Sequence, residues 1–428
     1  MFHKLIYILG SNLRNPSLKN QFDFLKETET WSLKKLEAYQ LEKLQELVLF
    51  AYSNSTYYKN IFDELNISPS DIKELKDLKK LPILTKNDVL PNSKIIQSNY
   101  TFKKTFTAAT SGSTGNALKF YRDEHADSFN RATINRGYSW HNINPWDRNG
   151  YFWGFNFSFA QKTKTLILDS LQNRFRLFSY QDNELKSFIK KLKNAKYIHG
   201  YSSMIYQTAR LINEQKLTKP QKLKMIKGTS EKIFEKYQEE VKKAFGLKII
   251  SEYGATESGI IAFECQKGKM HINMEGAIVE EIDNEILVTN LQMKSFPIIR
   301  YKLGDYIEIA SKEEKCSCGK NHYILKEVTG RIGNNIYGNK QIYPSLYLYY
   351  IFKNLDKNSG IKLNYQVVQK EKGKLLFKVG RITTSSEKQL LLKEIQNHFK
   401  DDIIFSVKEN ESIKSEGSKL KSFISMID

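Results

Sequence analysis

A run of hydroxyls and small residues, Thr110-Ser111-Gly112-Ser113-Thr114-Gly115, stands in this chain with a second cluster, Tyr253-Gly254-Ala255-Thr256-Glu257. The first offers hydroxyl donors and unencumbered backbone N–H groups to a polyphosphate, since glycine lets the main chain approach a ligand closely. The second sets an aromatic ring, a hydroxyl and a carboxylate in one short segment. Together they suit a nucleotide that is being cleaved. The first run is not a Walker loop, because no Gly-Lys-Ser/Thr closes it. Taken alone, such a stretch is more often a plain surface turn.

The cysteines offer a different chemistry. The chain has 3 of them, Cys265, Cys316 and Cys318, and in a reducing compartment they would not pair as disulfides. His271 follows Cys265 closely, and Cys316 and Cys318 flank Ser317. Three thiolates and one imidazole are the donor set of a closed tetrahedral zinc site, which leaves no position for a reactive water and is therefore structural. His322 is the alternative fourth ligand, and the bland reading is ordinary cysteines in loops.

Further motifs are Arg300-Tyr301-Lys302-Leu303-Gly304-Asp305, Gly330-Arg331 and Gly417-Ser418-Lys419-Leu420-Lys421. Earlier come Tyr57-Tyr58, Leu81-Pro82-Ile83-Leu84-Thr85-Lys86 and His199-Gly200-Tyr201-Ser202-Ser203. In this order and spacing the chain resembles the adenylate-forming enzyme superfamily over nearly its whole length. Within it the resemblance is to the short branch of phenylacetate-CoA ligases and CapK-like capsule-biosynthesis proteins.

The resemblance implies roles residue by residue. Thr110, Ser111, Gly112, Ser113, Thr114 and Gly115 would close over the β- and γ-phosphates of ATP. Tyr253, beside Gly254, would stack on adenine, Thr256 would bind the α-phosphate, and Glu257 would hold magnesium, a hard cation that prefers oxygen ligands. Asp305 would accept from the ribose hydroxyls and Arg331 would contact ribose or phosphate. Lys419 resembles the mobile lysine that reaches the reacting carboxylate. In the family a glycine directly precedes that lysine, whereas here Ser418 intervenes and Lys421 is the alternative. Gly333 stands where the superfamily often has an acidic residue or lysine. The CapK-like branch shares the Cys, His and Cys-x-Cys arrangement, which agrees with structural zinc. The implied reaction activates a carboxylic acid as an acyl-adenylate and passes it to coenzyme A or to another thiol or amine, in a setting such as capsule or O-antigen assembly. A non-catalytic nucleotide-binding scaffold of the same fold is the alternative.

The elements that must position these residues are partly legible. With 428 residues the chain exceeds the usual size of one domain. The expectation is an α/β protein with a large multi-layer N-terminal adenylation domain, residues 1–331, and a small, mobile α+β C-terminal domain, residues 332–428. Apolar residues at helical spacing predict one amphipathic helix from Leu33 to Phe62. Strands near Phe102–Thr107 place the Gly-Ser-Thr run in a hairpin. From Asp182 to Phe245 helical patterns alternate with short apolar runs, the rhythm of α/β layering. Leu247–Ser251 reads as a buried strand with Tyr253–Glu257 at its C-terminal end, where α/β sheets bind ligands. Gly333, Asn334, Asn335, Gly338 and Asn339 crowd a hinge-like segment. Beyond it a helix near Pro344–Leu355, strands near Tyr365–Val368 and Leu375–Val379, a helix carrying Leu391, Ile395 and Phe399, and a strand Ile403–Val407 make the small domain.

The formal charge of +20 raises a nucleic-acid reading. Lysine is spread along the chain without a basic arm, so a solvated surface explains the charge better than dedicated nucleic-acid binding. No apolar run approaches the roughly 20 residues that span a bilayer, and Leu5–Leu9 lacks the features of a secretory signal, so the expected location is the cytoplasm. A homodimer and a monomer are equally compatible with the sequence. Trp153, Phe155, Phe157, Phe159, His199 and Tyr201 either line an acid pocket or belong to the core.

Overall fold

Strand-forming runs separated by helices dominate the middle of the chain, and the computed structural model assembles them into one long sheet. The structure describes residues 1–110, 118–152, 159–178, 182–331, 335–343, 345–411, 413 and 422–427. They form two units, Met1–Val328 and Thr329–Asp428.

In the first unit the 11-stranded sheet runs, in spatial order, through Ala277–Ile282, Glu285–Asn290, Tyr301–Ile309, Ile324–Arg331, Met270–Ile272, Gly259–Glu264, Ile249–Ala255, Met225–Thr229, Tyr197–Tyr201, Asn149–Phe152 and Arg174–Arg176. The last five pair in parallel. Their connections are helical, as parallel pairing requires. The Tyr197–Tyr201 strand is buried along its whole length, the expected state of a strand covered on both faces. Gly200 has a reason to be glycine: its φ is +134° and a Cβ would meet the Phe152 carbonyl oxygen at 2.2 Å.

The helix expected from Leu33 to Phe62 is two helices, Leu33–Asn54 and Thr56–Glu64. Ser55 breaks them with an extended backbone, φ −127° and ψ 117°, and its hydroxyl donates to the Ile95 carbonyl at 3.0 Å. The turn sends Tyr58 inward, where its hydroxyl donates to Pro297 O at 3.1 Å and accepts from Ile299 N at 3.2 Å. The apolar period continues across the break, which is why the pattern alone does not reveal it.

Two helices precede these, Phe2–Arg14 and Leu18–Thr28. The second packs on the helix Glu124–Trp140, and the two share a charged network. Arg136 and Glu275, 2% and 0% exposed at their side chains, form an ion pair at 2.6 Å. The other Arg136 amino group donates to Asn273 Oδ1 at 2.8 Å, His322 Nε2 sits 2.9 Å from Glu275 Oε1, and the Thr28 hydroxyl donates to the same carboxylate. Burial alone would push the Glu275 carboxyl up, and Arg136 and His322 bring it well below its ordinary value.

The second unit has a four-stranded sheet in the order Ile404–Lys408, Lys374–Val379, Tyr365–Glu371, Phe423–Ser425. Helices Leu346–Ser359 and Ser385–Phe399 accompany it, and Ile351, Leu355, Val367, Phe377, Leu391, Ile395 and Phe399 form its core. Thr384 and Glu387 make a capping box that starts the second helix. The turn-rich segment read as a hinge holds a two-stranded ribbon, Ile336–Tyr337 with Ile342–Tyr343, while Gly333 and Asn334 lie outside the described residues. Among the described residues no helix is long and apolar enough to cross a membrane.

Removing one partner of a buried ion pair leaves the other charge uncompensated. Glu275→Gln is therefore expected to lower unfolding free energy by about 3–5 kcal/mol, read as a lower urea midpoint at unchanged slope. Because the folded-state value is depressed, the stability contributed by Glu275 is present above pH 4.5, its ordinary value, and is lost as pH falls from there. The variant should accordingly show the flatter acid limb.

Candidate functional site

The parallel run of strands ends at Ile249–Ala255, which pairs in parallel with Met225–Thr229 on one side and antiparallel with Gly259–Glu264 on the other. The strand extends further than the sequence suggests, so Tyr253 and Gly254 lie within it and Thr256 and Glu257 occupy the turn that follows. The register shifts between Tyr253 and Gly254, and such an irregularity re-aims side chains. Gly254 has no room for a Cβ, which would meet Gly259 O at 2.4 Å.

Asp305 lies in the strand Tyr301–Ile309, after Gly304 with φ +77°. The Tyr253 hydroxyl donates to Asp305 Oδ2 at 2.7 Å. The fold thus joins two candidate nucleotide residues from separate motifs. Glu257 is buried, and its carbonyl accepts a long bond from Asn290 Nδ2 at 3.4 Å.

Strand Thr105–Ala109 pairs antiparallel with Lys119–Asp123, Ala109 opposite Lys119, so the glycine-hydroxyl run connects the strands of a hairpin. Thr110 closes its base: its N–H donates to Leu118 O and its hydroxyl accepts from Leu118 N, both at 3.0 Å. Ser111, Gly112, Ser113, Thr114 and Gly115 lie outside the described residues. Arg122, on the second hairpin strand, donates through Nη2 to the Thr256 carbonyl at 2.5 Å and pairs with Asp127 at 3.4 Å. This arginine links the hairpin to the Tyr253–Glu257 segment. Its sequence signal, a lone arginine in a short strand, is too weak to single it out.

Leu81–Lys86 and Arg300–Asp305 also meet. Leu84 N donates to Arg300 O at 3.0 Å, Lys302 N donates to Leu84 O at 2.8 Å, and the Arg300 guanidinium spans Leu81 O and both oxygens of Glu280. Arg300 is therefore a structural clamp beside Asp305. Arg331 ends the strand Ile324–Arg331, but its side chain, with Lys419 and Lys421, lies outside the described residues. Trp153, Phe155 and Phe157 and the side chain of Phe159 do so too. His199 and Tyr201 are buried. His199 stacks on Tyr151 with ring centroids 4.4 Å apart and lies 3.2 Å from Asn149 Oδ1. Burial, then Lys227 and the arginines Arg174 and Arg176, holds it well below the ordinary imidazole value, so it is a neutral core histidine.

The cysteines and one histidine converge. Gly268, at φ +74°, turns the chain so that Cys265 O accepts from Gly268 N at 2.9 Å; the returning strand then carries His271 opposite Phe263. Cys316 O accepts from Gly319 N at 3.1 Å, which folds Cys316 and Cys318 into one loop. The ligand atoms of Cys265, His271, Cys316 and Cys318 all lie within 4.8 Å of one another. Cys265 Sγ and Cys316 Sγ are 3.7 Å apart, and Cys318 Sγ is 3.2 Å from His271 Nε2. Two thiolates on one zinc at a Zn–S length of roughly 2.3 Å would be about 3.8 Å apart, so the cluster fits that ion. His271 Nδ1 faces the His322 carbonyl at 3.4 Å, the outward contact that fixes a ligating imidazole. Burial and the Cys318 and Cys265 sulfurs push the Cys316 thiol up to about 12. Burial would also raise Cys265, yet His271 and backbone N–H groups hold it below its ordinary value. Adjacent thiolates repel, so deprotonating the whole set needs a cation among them. His322, the alternative ligand, turns instead to Glu275.

No family model matches the chain. Among curated proteins it is similar to protein CapK of Staphylococcus aureus, with 25% identity over 304 residues, 68% of this chain and 67% of that protein. It is also similar to phenylacetate-coenzyme A ligase of Thermus thermophilus, with 22% identity over 333 residues, 71% of this chain and 72% of that protein. Among solved structures its fold matches 2-hydroxyisobutyryl-CoA ligase in the postadenylation state in complex with R3-HIB-AMP, with a TM-score of 0.71, 16% identity, and coverage of 94% of this chain and 91% of that one. Sequence relatives along two thirds of the chain and a shared fold along nearly all of it agree with the motif order, and they support a place for the chain in the adenylate-forming superfamily, where it resembles the CapK and phenylacetate-CoA ligase branch.

Proposed function

We propose that the chain is an ATP-dependent, AMP-forming ligase that activates a carboxylic acid as its acyl-adenylate. The observation that carries this reading is the 2.7 Å bond between Tyr253 and Asp305. It joins the residue proposed to stack on adenine to the one proposed to accept from the ribose hydroxyls. The Arg122 contact to Thr256 adds support, because it ties the hairpin bearing the proposed phosphate loop to the same turn.

In this reading the substrate carboxylate attacks the α-phosphorus of ATP, the bond to the bridging oxygen breaks, and pyrophosphate leaves. Ser111, Gly112, Ser113, Thr114 and Gly115, with Thr110, donate to the β- and γ-phosphates, Thr256 donates at the α-phosphate, and Arg331 contacts ribose or phosphate. Lys419, with Lys421 as its alternative, neutralises charge that grows in the transition state, which is where such a group accelerates the reaction. Glu257 would hold magnesium, which when bound offsets phosphate charge. A second nucleophile then captures the adenylate, and the likeness to a phenylacetate-coenzyme A ligase favours the coenzyme A thiol. The likeness to CapK favours a role in capsule or O-antigen polysaccharide assembly. Cys265, His271, Cys316 and Cys318 would hold a structural zinc that pins the Met270–Ile272 strand to the Cys316 loop.

Exchange of labelled pyrophosphate into ATP, screened across aryl, fatty, hydroxy and amino acids, should reveal an acid that supports turnover; none across the panel would leave a nucleotide-binding scaffold. With that acid, Lys419→Ala should lower exchange by about 10²-fold or more at unchanged melting temperature, and a parental rate moves the role to Lys421. Asp305→Asn should raise the KM for ATP by roughly tenfold, the loss of a charge-assisted hydrogen bond, with a smaller effect on kcat. Elemental analysis should find about one zinc per chain, matching one closed site. Cys316→Ser should lose that zinc and melt earlier before losing chemistry; a stable, active, metal-free parent overturns the zinc assignment.

A further inference from the structure

The first unit carries an apolar face that the proposed reaction does not use. In the helix Phe2–Arg14, Phe2, Leu5, Leu9 and Leu13 are 64%, 57%, 55% and 80% exposed. Their spacing puts them on one stripe. The opposite side of the helix is fixed: the Tyr7 hydroxyl accepts from Asn135 Nδ2 at 2.8 Å, and the Tyr7 ring packs on Trp146 with centroids 5.6 Å apart. The stripe is therefore aimed outward. The helix Phe159–Leu171 extends the face with Leu166, Ile167, Leu168 and Leu171, all exposed. His3 Nδ1 donates to the Leu171 carbonyl at 3.2 Å and joins the two helices. Exposed apolar side chains gathered on adjoining helices in this way mark an interaction site.

The charges around it select the partner. Phe2–Arg14 carries Lys4 and Arg14 and no carboxylate. Phe159–Leu171 carries Lys162 and Lys164, and its carboxylate, Asp169, is buried and paired with Arg176 at 2.8 Å and Arg174 at 3.6 Å. Lys104 adds a further ammonium at the end of the stripe, where it donates to the Leu13 carbonyl at 2.8 Å. Lys4 lies over Trp146 on the packed side, Arg14 shares Asp127 with Arg122 and Arg131 and Lys162 lies 4.0 Å from Glu184, so cations outnumber anions around the apolar side chains, with Lys104 and Lys164 beside them. A second copy would bring the same cations against it in a chain of formal charge +20.

We infer that this face docks on an anionic lipid surface, the helix Phe2–Arg14 lying in the plane of the headgroups with Phe2, Leu5, Leu9 and Leu13 turned to the acyl chains. A helix with an apolar stripe and flanking cations binds an interface in this way, and neither helix is long and apolar enough to cross it.

Sedimentation of the full chain with vesicles of phosphatidylcholine, alone and mixed with phosphatidylglycerol, tests the inference. The chain should bind the anionic vesicles, and salt should weaken the binding. Leu9→Glu combined with Leu13→Glu should lower binding about tenfold or more, since it loses buried apolar area and adds negative charge, and Lys164→Ala about fivefold. All three positions are exposed, so the melting temperature should not move. A parent that stays in the supernatant with both vesicle types overturns the proposal, as does equal binding by the Leu9→Glu/Leu13→Glu variant. A parental dimer that those substitutions make monomeric, without vesicle binding, assigns the face to self-association instead.

Discussion

A carboxylate with no access to water fixes the centre of the first unit. Glu275 would be untenable there unpaired, since an uncompensated buried charge costs several kcal/mol, so Arg136, His322 and Thr28 are all committed to it. These come from separate stretches of the chain, and the network therefore constrains the N-terminal helices, the Glu124–Trp140 helix and the segment leading into strand Ile324–Arg331. Its effect reaches the cysteine cluster through the backbone. Ile272 N donates to Tyr323 O at 2.8 Å, and Ile324 pairs with His271. One short segment, Met270–Glu275, is held by charges at one end and lies among thiols at the other.

The same sheet connects that network to the residues proposed for the nucleotide. Met270–Ile272 pairs with Gly259–Glu264, and Gly259–Glu264 pairs with Ile249–Ala255, so Tyr253 stands two strands from His271. Ile249–Ala255 is where parallel pairing gives way to antiparallel pairing. The register shift at Tyr253 and the absence of room at Gly254 are the local consequences. Tyr253 can then meet Asp305 although the Tyr301–Ile309 strand lies farther along the sheet.

Local patterns made part of this readable. The alternation of helices and apolar runs is the trace of parallel pairing and predicts the α/β layering. A buried run followed by Tyr253–Glu257 predicts a sheet end. The spacing of Cys265 with His271 and of Cys316 with Cys318 predicts two ligand pairs, and the fold brings the two pairs together. Pairings across long separations have no such trace. Arg136 reads as a helical surface arginine until Glu275 is set beside it. Arg122 reads as a strand residue until Thr256 is. Ser55 sits in an unbroken apolar period, and only the Ile95 carbonyl explains the break. His199, for which the sequence leaves pocket and core both open, is a core histidine because Tyr151, Tyr138 and Asn149 surround it.

Within the proposed reaction this arrangement divides the nucleotide into two ends with different mechanical demands. Adenine and ribose keep their covalent structure throughout, and the residues proposed for them, Tyr253 and Asp305, are bonded to each other from two separate strands of the sheet. The phosphate end loses pyrophosphate, so groups that serve it must bind in one step and release in the next. The residues proposed there belong to a connection whose base is closed by the paired Thr110–Leu118 bonds and whose second strand is tied by Arg122 to Thr256. On the proposed roles, a ring and ribose contact held within the sheet suits the group that stays, and the bonds at the base of the hairpin set where the proposed phosphate donors are attached, since positioning must persist at the group that stays and lapse at the group that leaves.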